Sequence, residues 1–161
     1  LLIGGFASGQ DFSFAPQKAI PSLRLYAEFE TYKVQPGSFN QLILHGIIPQ
    51  GWHVYSVKKQ EYGPHPTELN TWSQWHKALC CVAESTPQQI YDDALEMNLE
   101  IHKKKFTLYQ KFKIADEAPE GDQDLHGSLR YQICDNNICA PLQEQSFVAP
   151  LQIYISASEA N

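Results

Sequence analysis

The chain has 161 residues, of which 43% are apolar and 19% charged, and its formal net charge is −6. That length supports one domain with a hydrophobic core and is short for two, and the composition is globular rather than disordered. The acidic balance argues against nucleic acid as a partner, and no stretch reaches the ~18 apolar residues that a membrane-spanning helix requires.

Residues 1–9 resemble the tail of a signal-peptide apolar region, and Ala7-Ser8-Gly9 has the small–x–small pattern that precedes a cleavage site. An exported protein with a mature start near Gln10 is expected, with residues 10–21 as an N-terminal extension. The folded domain is expected over 22–156, with 157–161 as a tail or the start of a linker. Leu23, Leu25, Ala27 and Phe29 alternate with Arg24, Tyr26, Glu28 and Glu30, the period of a half-buried strand. After the turn signal Pro36-Gly37, a second strand runs from Phe39 to Ile48, and Trp52 to Val57 makes a third. The polar, proline-bearing stretch from Lys58 to about Lys77 reads as a long connection.

Strand character returns near Leu79 to Glu84, followed by a loop carrying Pro87, Tyr91, Asp92 and Asp93. Gln88 to Glu96 has room for one short helical turn. Met97, Leu99 and Ile101, then Phe106, Leu108, Phe112 and Ile114, flank Lys103-Lys104-Lys105 as a hairpin with a solvated basic tip. Leu129, Tyr131 and Ile133 lead into Cys134, and Leu151, Ile153 and Ile155 alternate in a last strand. Eight or nine short antiparallel strands with polar turns predict an all-β sandwich.

The four cysteines permit three pairings and fall into two unlike groups, Cys80-Cys81 and Cys134-Asp-Asn-Asn-Ile-Cys139. Residues flanking a four-residue hairpin loop are cross-strand neighbours, near the roughly 4.4–6.8 Å between Cα atoms that a disulfide needs. A Cys134–Cys139 bridge is therefore easy to form. It closes a short loop and so adds little stability by chain entropy, which suits a redox pair but leaves a structural staple open. Cys80 and Cys81 are neighbours, and on a strand they point to opposite faces, one buried and one exposed. A bond between them is not expected. A soft-metal site with His65 and His76 is the weaker alternative, because the spacing matches no recognised ligand set.

The segment from Gly127 to Pro141, with Tyr131-Gln132-Ile133-Cys134 and Cys139 inside it, resembles the active-site hairpin of the N-terminal domain of the thiol:disulfide interchange protein DsbD family. Gly51-Trp-His-Val-Tyr-Ser56 with Gly63-Pro-His-Pro-Thr67 resembles a second stretch of that family, and the likeness runs from about Ser22 to Ile155. It implies an immunoglobulin-like β-sandwich in the periplasm with protein-disulfide reductase activity. Cys134 and Cys139 would be the redox pair, with Cys139 entering mixed disulfides.

The implied partners are thioredoxin-like domains and periplasmic thiol–disulfide proteins, with tethering to a membrane domain in a full-length protein. No cofactor and no metal are implied. His53 and Tyr55 match aromatic positions beside the pair, with Tyr131 and Pro141 also flanking it. Tyr91, Asp92, Asp93 and Leu95 fall where relatives carry a cap. Leu95 stands near the usual aromatic cap position, and Leu142 where a second proline is common.

Without the resemblance, Tyr55 and Tyr131 read as core aromatics, His53 as a packed histidine and Asp92-Asp93 as a solvated turn. Three function classes result: an electron-relay domain, a binding module with a purely structural disulfide, and a metal-binding module.

Overall fold

Apolar–polar alternation carries directly into strand pairing in the structure, a computed structural model that describes residues 19–157. The readings on residues 1–18 and 158–161 lie outside the described residues. Among the described residues thirteen strands, numbered in chain order, form three sheets. The first sheet orders β1 (Arg24–Phe29), β3 (Phe39–Ile47) and β10 (Lys105–Ile114), with the short β6 (His76–Ala78) and β7 (Ala83–Glu84) both on the outer side of β10. The second orders β2 (Lys33–Val34), β13 (Gln143–Ile153), β11 (Gly121–Tyr131) and β5 (Glu68–Trp72). The third orders β12 (Ile133–Cys134), β4 (His53–Tyr55), β9 (Met97–Lys103) and β8 (Gln88–Asp92).

The first two sheets close on each other as a sandwich. At one end Leu44, Phe106 and Leu108 meet Leu129 and Tyr131; at the other Leu42, Phe112 and Ile114 meet Leu125, Ala149, Leu151 and Ile153. Each fully buried aliphatic or aromatic side chain stabilises the fold by about 1.5–3 kcal/mol relative to exposure. Gly46 pairs with Phe106, and a Cβ there would lie 2.2 Å from the Phe106 ring, so only glycine lets the ring cross the strand. The third sheet adds a small cluster of Tyr55, Leu99, Ile101 and Cys134. His53, Tyr55, Tyr91, Asp92 and Cys134 sit on this third sheet.

The immunoglobulin-like β-sandwich stands, and several local expectations are corrected. Eight strands have five or more residues, and the other five are pieces of two or three, too short to leave a periodic pattern. One pair, β2 with β13, is parallel. The stretch read as a connection to Lys77 contains β5 and the start of β6, because β5 pairs with β11, a partner remote in sequence. The place of the short helical turn is taken by β8 and a tight turn.

The lysine run is no hairpin tip. Lys104 adopts φ 68°, and there the chain leaves the third sheet for the first, so β9 and β10 have different partners. Leu79 to Val82 is not strand. Alternation therefore does not apply to Cys80 and Cys81, which are both exposed and bonded to each other.

Candidate functional site

The cysteine hairpin is built by two short backbone bonds and one carboxylate. Ala140 N–H donates to the Ile133 carbonyl and Asp135 N–H to that of Ile138, each at 2.9 Å. Cys134 and Cys139 thus occupy the bridge position between two hydrogen-bonded steps. Non-hydrogen-bonded antiparallel pairs bring their Cα atoms closest, and here the separation is 4.0 Å, with the disulfide formed. Asp135 Oδ1 accepts from the N–H groups of Asn137 and Ile138, each at 2.8 Å, which folds the tip back.

The two sulfurs have unequal surroundings. Cys134 lies on β12, paired with His53 on β4, and packs with Tyr55, Leu99 and Ile101; it is 1% exposed. Cys139 is on the exposed return arm. The Tyr55 hydroxyl donates to the Cys134 sulfur at 3.3 Å and lies 3.9 Å from that of Cys139. Thr67 in turn donates its hydroxyl to the Tyr55 carbonyl, fixing the strand that carries the phenol.

Across a groove from the pair stands the β8–β9 turn. Asp92 Oδ1 accepts from the N–H groups of Ala94 and Leu95, each at 2.9 Å, and so shapes that turn. His53, Tyr55, Tyr91, Asp92, Asp93, Leu95, Cys134 and Cys139 all line the groove. Tyr91 and Leu95 are 58% and 48% exposed, so the groove is open in this structure.

Electrostatics follow from burial and from the two acids. Burial lowers the His53 pKa and the nearby Lys103 lowers it further, against opposing pulls from Asp135 and Asp92, so the imidazole is neutral at neutral pH. Its ring meets that of Tyr55 edge-on at 5.4 Å. Burial, then the Asp92 charge, raises the Tyr55 pKa and keeps its hydroxyl a donor.

Beside β4 lies a partly buried network. Glu84 accepts from His102 at 2.7 Å, from Val57 N–H at 3.2 Å and from the Ser56 hydroxyl. Burial pulls the Glu84 pKa up, but these bonds outweigh it and the net value is lowered.

Two expected neighbours stand outside the groove. Tyr131 is a core residue whose hydroxyl donates to Gln143 at 3.2 Å and also reaches Gln145, and Pro141 is exposed beyond the hairpin. Sequence reasoning missed Tyr62, Pro64, Gln132 and Ile138 as groove residues. The family-like Gly63-Pro-His-Pro segment held the signal for Pro64, and the Gly127 to Pro141 segment that for Gln132 and Ile138. His65 N–H donates to Gln132 Oε1 at 3.4 Å, which holds that segment beside the cysteine hairpin. His76, a candidate ligand, is engaged by Ser73 at 2.7 Å and Thr71 at 3.1 Å. Among the described residues no group of three or more His, Cys, Asp or Glu side chains is placed to hold a metal ion.

No curated protein matches the chain. Among solved structures it is similar to the N-terminal periplasmic domain of ScsB from Proteus mirabilis, at 16% identity and a TM-score of 0.49, covering 81% of this chain and 45% of that one. It is also similar to BcpA, the major pilin subunit of Bacillus cereus, at 10% identity and a TM-score of 0.44, covering 81% of this chain and 40% of that one. The chain thus spans under half the length of either. The family model for the N-terminal region of the thiol:disulfide interchange protein DsbD matches residues 23–150. The match takes in both β-sheets of the sandwich except the last three residues of β13, together with the whole groove, and the chain belongs to the family of DsbD N-terminal thiol:disulfide interchange domains.

Proposed function

We propose that this domain works in the periplasm as a protein-disulfide reductase module, relaying electrons from a thioredoxin-like or membrane reductase to periplasmic thiol proteins through a reversible Cys134–Cys139 disulfide. The observation that carries this reading is the asymmetry of the pair: an exposed Cys139 beside a Cys134 that is 1% exposed, with one phenol in reach of both sulfurs.

In the loading step a donor thiolate attacks the Cys139 sulfur. The Cys134–Cys139 bond breaks, and Cys134 leaves as a thiolate that takes up a proton. The donor's second thiol then displaces Cys139, closing the donor disulfide and releasing the second thiol on this domain. Two electrons and two protons have moved. In the unloading step Cys139 attacks an acceptor disulfide and Cys134 resolves the mixed disulfide. The chemistry needs accessible sulfur and thiolate, with no cofactor.

The bridge encloses only four residues, so it constrains the unfolded chain weakly and has little value as a staple. Tyr91, Asp92, Asp93 and Leu95 act as a cap that discriminates between partners at the mouth of the groove. The test is alkylation and mass spectrometry after equilibration in glutathione buffers of graded ratio. Two thiols appearing at Cys134 and Cys139 in the folded protein are expected. A pair that stays bonded while the fold is intact establishes the structural staple instead.

A further inference from the structure

The outer edge of the first sheet carries a cysteine pair that the groove chemistry leaves unused. Ala78 pairs with Phe112 and Ala83 with Tyr109, so on β10 two residues, Gln110 and Lys111, lie between the paired positions. On the facing chain four residues, Leu79 to Val82, span the same interval. The two in excess leave the ladder as a bulge, a device that re-aims side chains at sheet edges.

The ends of the bulge are pinned. Leu79 N–H donates to the Lys111 carbonyl at 2.9 Å, and the Leu79 carbonyl accepts from Gln110 Nε2 at 2.7 Å. Past β7, Ser85 N–H donates to the Thr107 carbonyl at 2.8 Å. Cys81 adopts φ 63°, both cysteines are exposed, and they are bonded to each other. Neither lines the Cys134–Cys139 groove.

We infer that Cys80–Cys81 is a second thiol–disulfide exchange site, open to small dithiol reductants from solvent. A reductant thiolate attacks one of the two sulfurs, the Cys80–Cys81 bond breaks, and the displaced thiolate takes up a proton. The reductant's second thiol then forms the reductant's own disulfide and frees the other cysteine. Two electrons and two protons pass from the dithiol to the chain. Exposure governs the rate of such exchange, and here both sulfur-bearing residues are exposed, whereas half of the other pair is buried. Since β6 and β7 are each paired with β10 in their own right, the bond opens without loss of the sheet edge. The product is a dithiol on adjacent residues, able to chelate a trivalent arsenical. Phenylarsine oxide and two thiols give a dithioarsenite and water, with arsenic remaining trivalent.

Both pairs can be followed in one wild-type sample. Tryptic cleavage after Lys77, Lys103 and Arg130 puts Cys80 and Cys81 on one peptide and Cys134 and Cys139 on another. The oxidised chain is exposed to limiting dithiothreitol, quenched with an alkylating reagent at intervals and digested. Cys80–Cys81 is expected to open on the order of tenfold faster than Cys134–Cys139. A Cys134→Ser, Cys139→Ser chain, once reduced, is expected to take up one phenylarsine, and to take up none when Cys81→Ser is added.

The inference is overturned if Cys80–Cys81 opens together with or after the other pair. Free thiols at both positions in the oxidised chain would overturn it too, as would a reduced double variant that takes no arsenical. Opening of Cys80–Cys81 while Cys134–Cys139 resists reduction would leave this inference standing and sink the groove reading.

Discussion

One hydroxyl serves two sulfurs: the Tyr55 phenol donates to Cys134 at 3.3 Å and lies 3.9 Å from Cys139. Its raised pKa, from burial and then from Asp92, keeps the proton on oxygen, so the phenol can hydrogen-bond whichever sulfur carries charge when the disulfide opens.

Removal of that hydroxyl alone measures its value. Tyr55→Phe keeps the ring that packs with Leu99 and Ile101. A hydrogen bond to a charged group contributes about 1.5–3 kcal/mol, and one pKa unit corresponds to about 1.4 kcal/mol. In a Cys139→Ala background, the Cys134 thiol is expected to titrate on the order of one unit higher with Phe at position 55 than with Tyr. Thiolate absorbance followed against pH reads the difference, and identical titrations would show that the phenol does not stabilise the thiolate.

The unequal exposure of the two sulfurs predicts unequal trapping. With a thioredoxin-like partner that lacks its resolving cysteine, Cys134→Ala is expected to accumulate a mixed disulfide through Cys139. Cys139→Ala is expected to accumulate little, because Cys134 is 1% exposed. Non-reducing electrophoresis gives the yields. The reverse pattern would exchange the two roles and leave the redox function intact.

A cap is a kinetic device. Tyr91→Ala with Leu95→Ala is expected to speed reduction of Cys134–Cys139 by dithiothreitol about two- to fivefold, a modest effect because both side chains are already half exposed. The equilibrium potential is expected to stay the same, since access alters the path and not the end states. Stopped-flow reduction and glutathione titration separate the two quantities. An unchanged rate would deny these residues a shielding role.

Glu84 predicts a pH dependence of stability. Its folded-state pKa is lowered, so its contribution is present above the ordinary carboxyl value and is lost as pH falls through the folded value. Glu84→Gln is expected to cost about 1–3 kcal/mol at neutral pH, as a partly buried hydrogen-bonded carboxylate is removed. Acidification should shrink that gap. Urea unfolding on either side of the glutamate range reports it, and a gap that does not change with pH would mean that the bonds from His102, Ser56 and Val57 do not depend on the charge.

Local spacing was informative wherever the interaction it encodes is local. The alternation from Leu23 to Phe29 became the half-buried β1, since a period of two needs no knowledge of the partner strand. Asp135, two asparagines and Ile138 between cysteines foretold a turn tight enough for a bridge, because Asp135 caps its own loop. The Lys104 corner was illegible. A strand–lysines–strand pattern reads the same whether the chain folds back on itself or crosses to another sheet, and the difference lies in partners far along the chain.

The sequence by itself determined the all-β class, the closeness of Cys134 and Cys139, and membership of the DsbD N-terminal family. These follow from period-2 patterning, turn chemistry and a motif, all carried by neighbouring residues. Only the tertiary structure decided that Cys134 is buried and Cys139 exposed, that Tyr55 reaches both, and that Tyr62 and Pro64 join the groove while Tyr131 packs in the core. It alone decided that the two residues in excess opposite Gln110 and Lys111 carry Cys80 and Cys81 out to solvent. Burial, register and bulges are set by which remote segments pack together, and a linear reading contains no term for that.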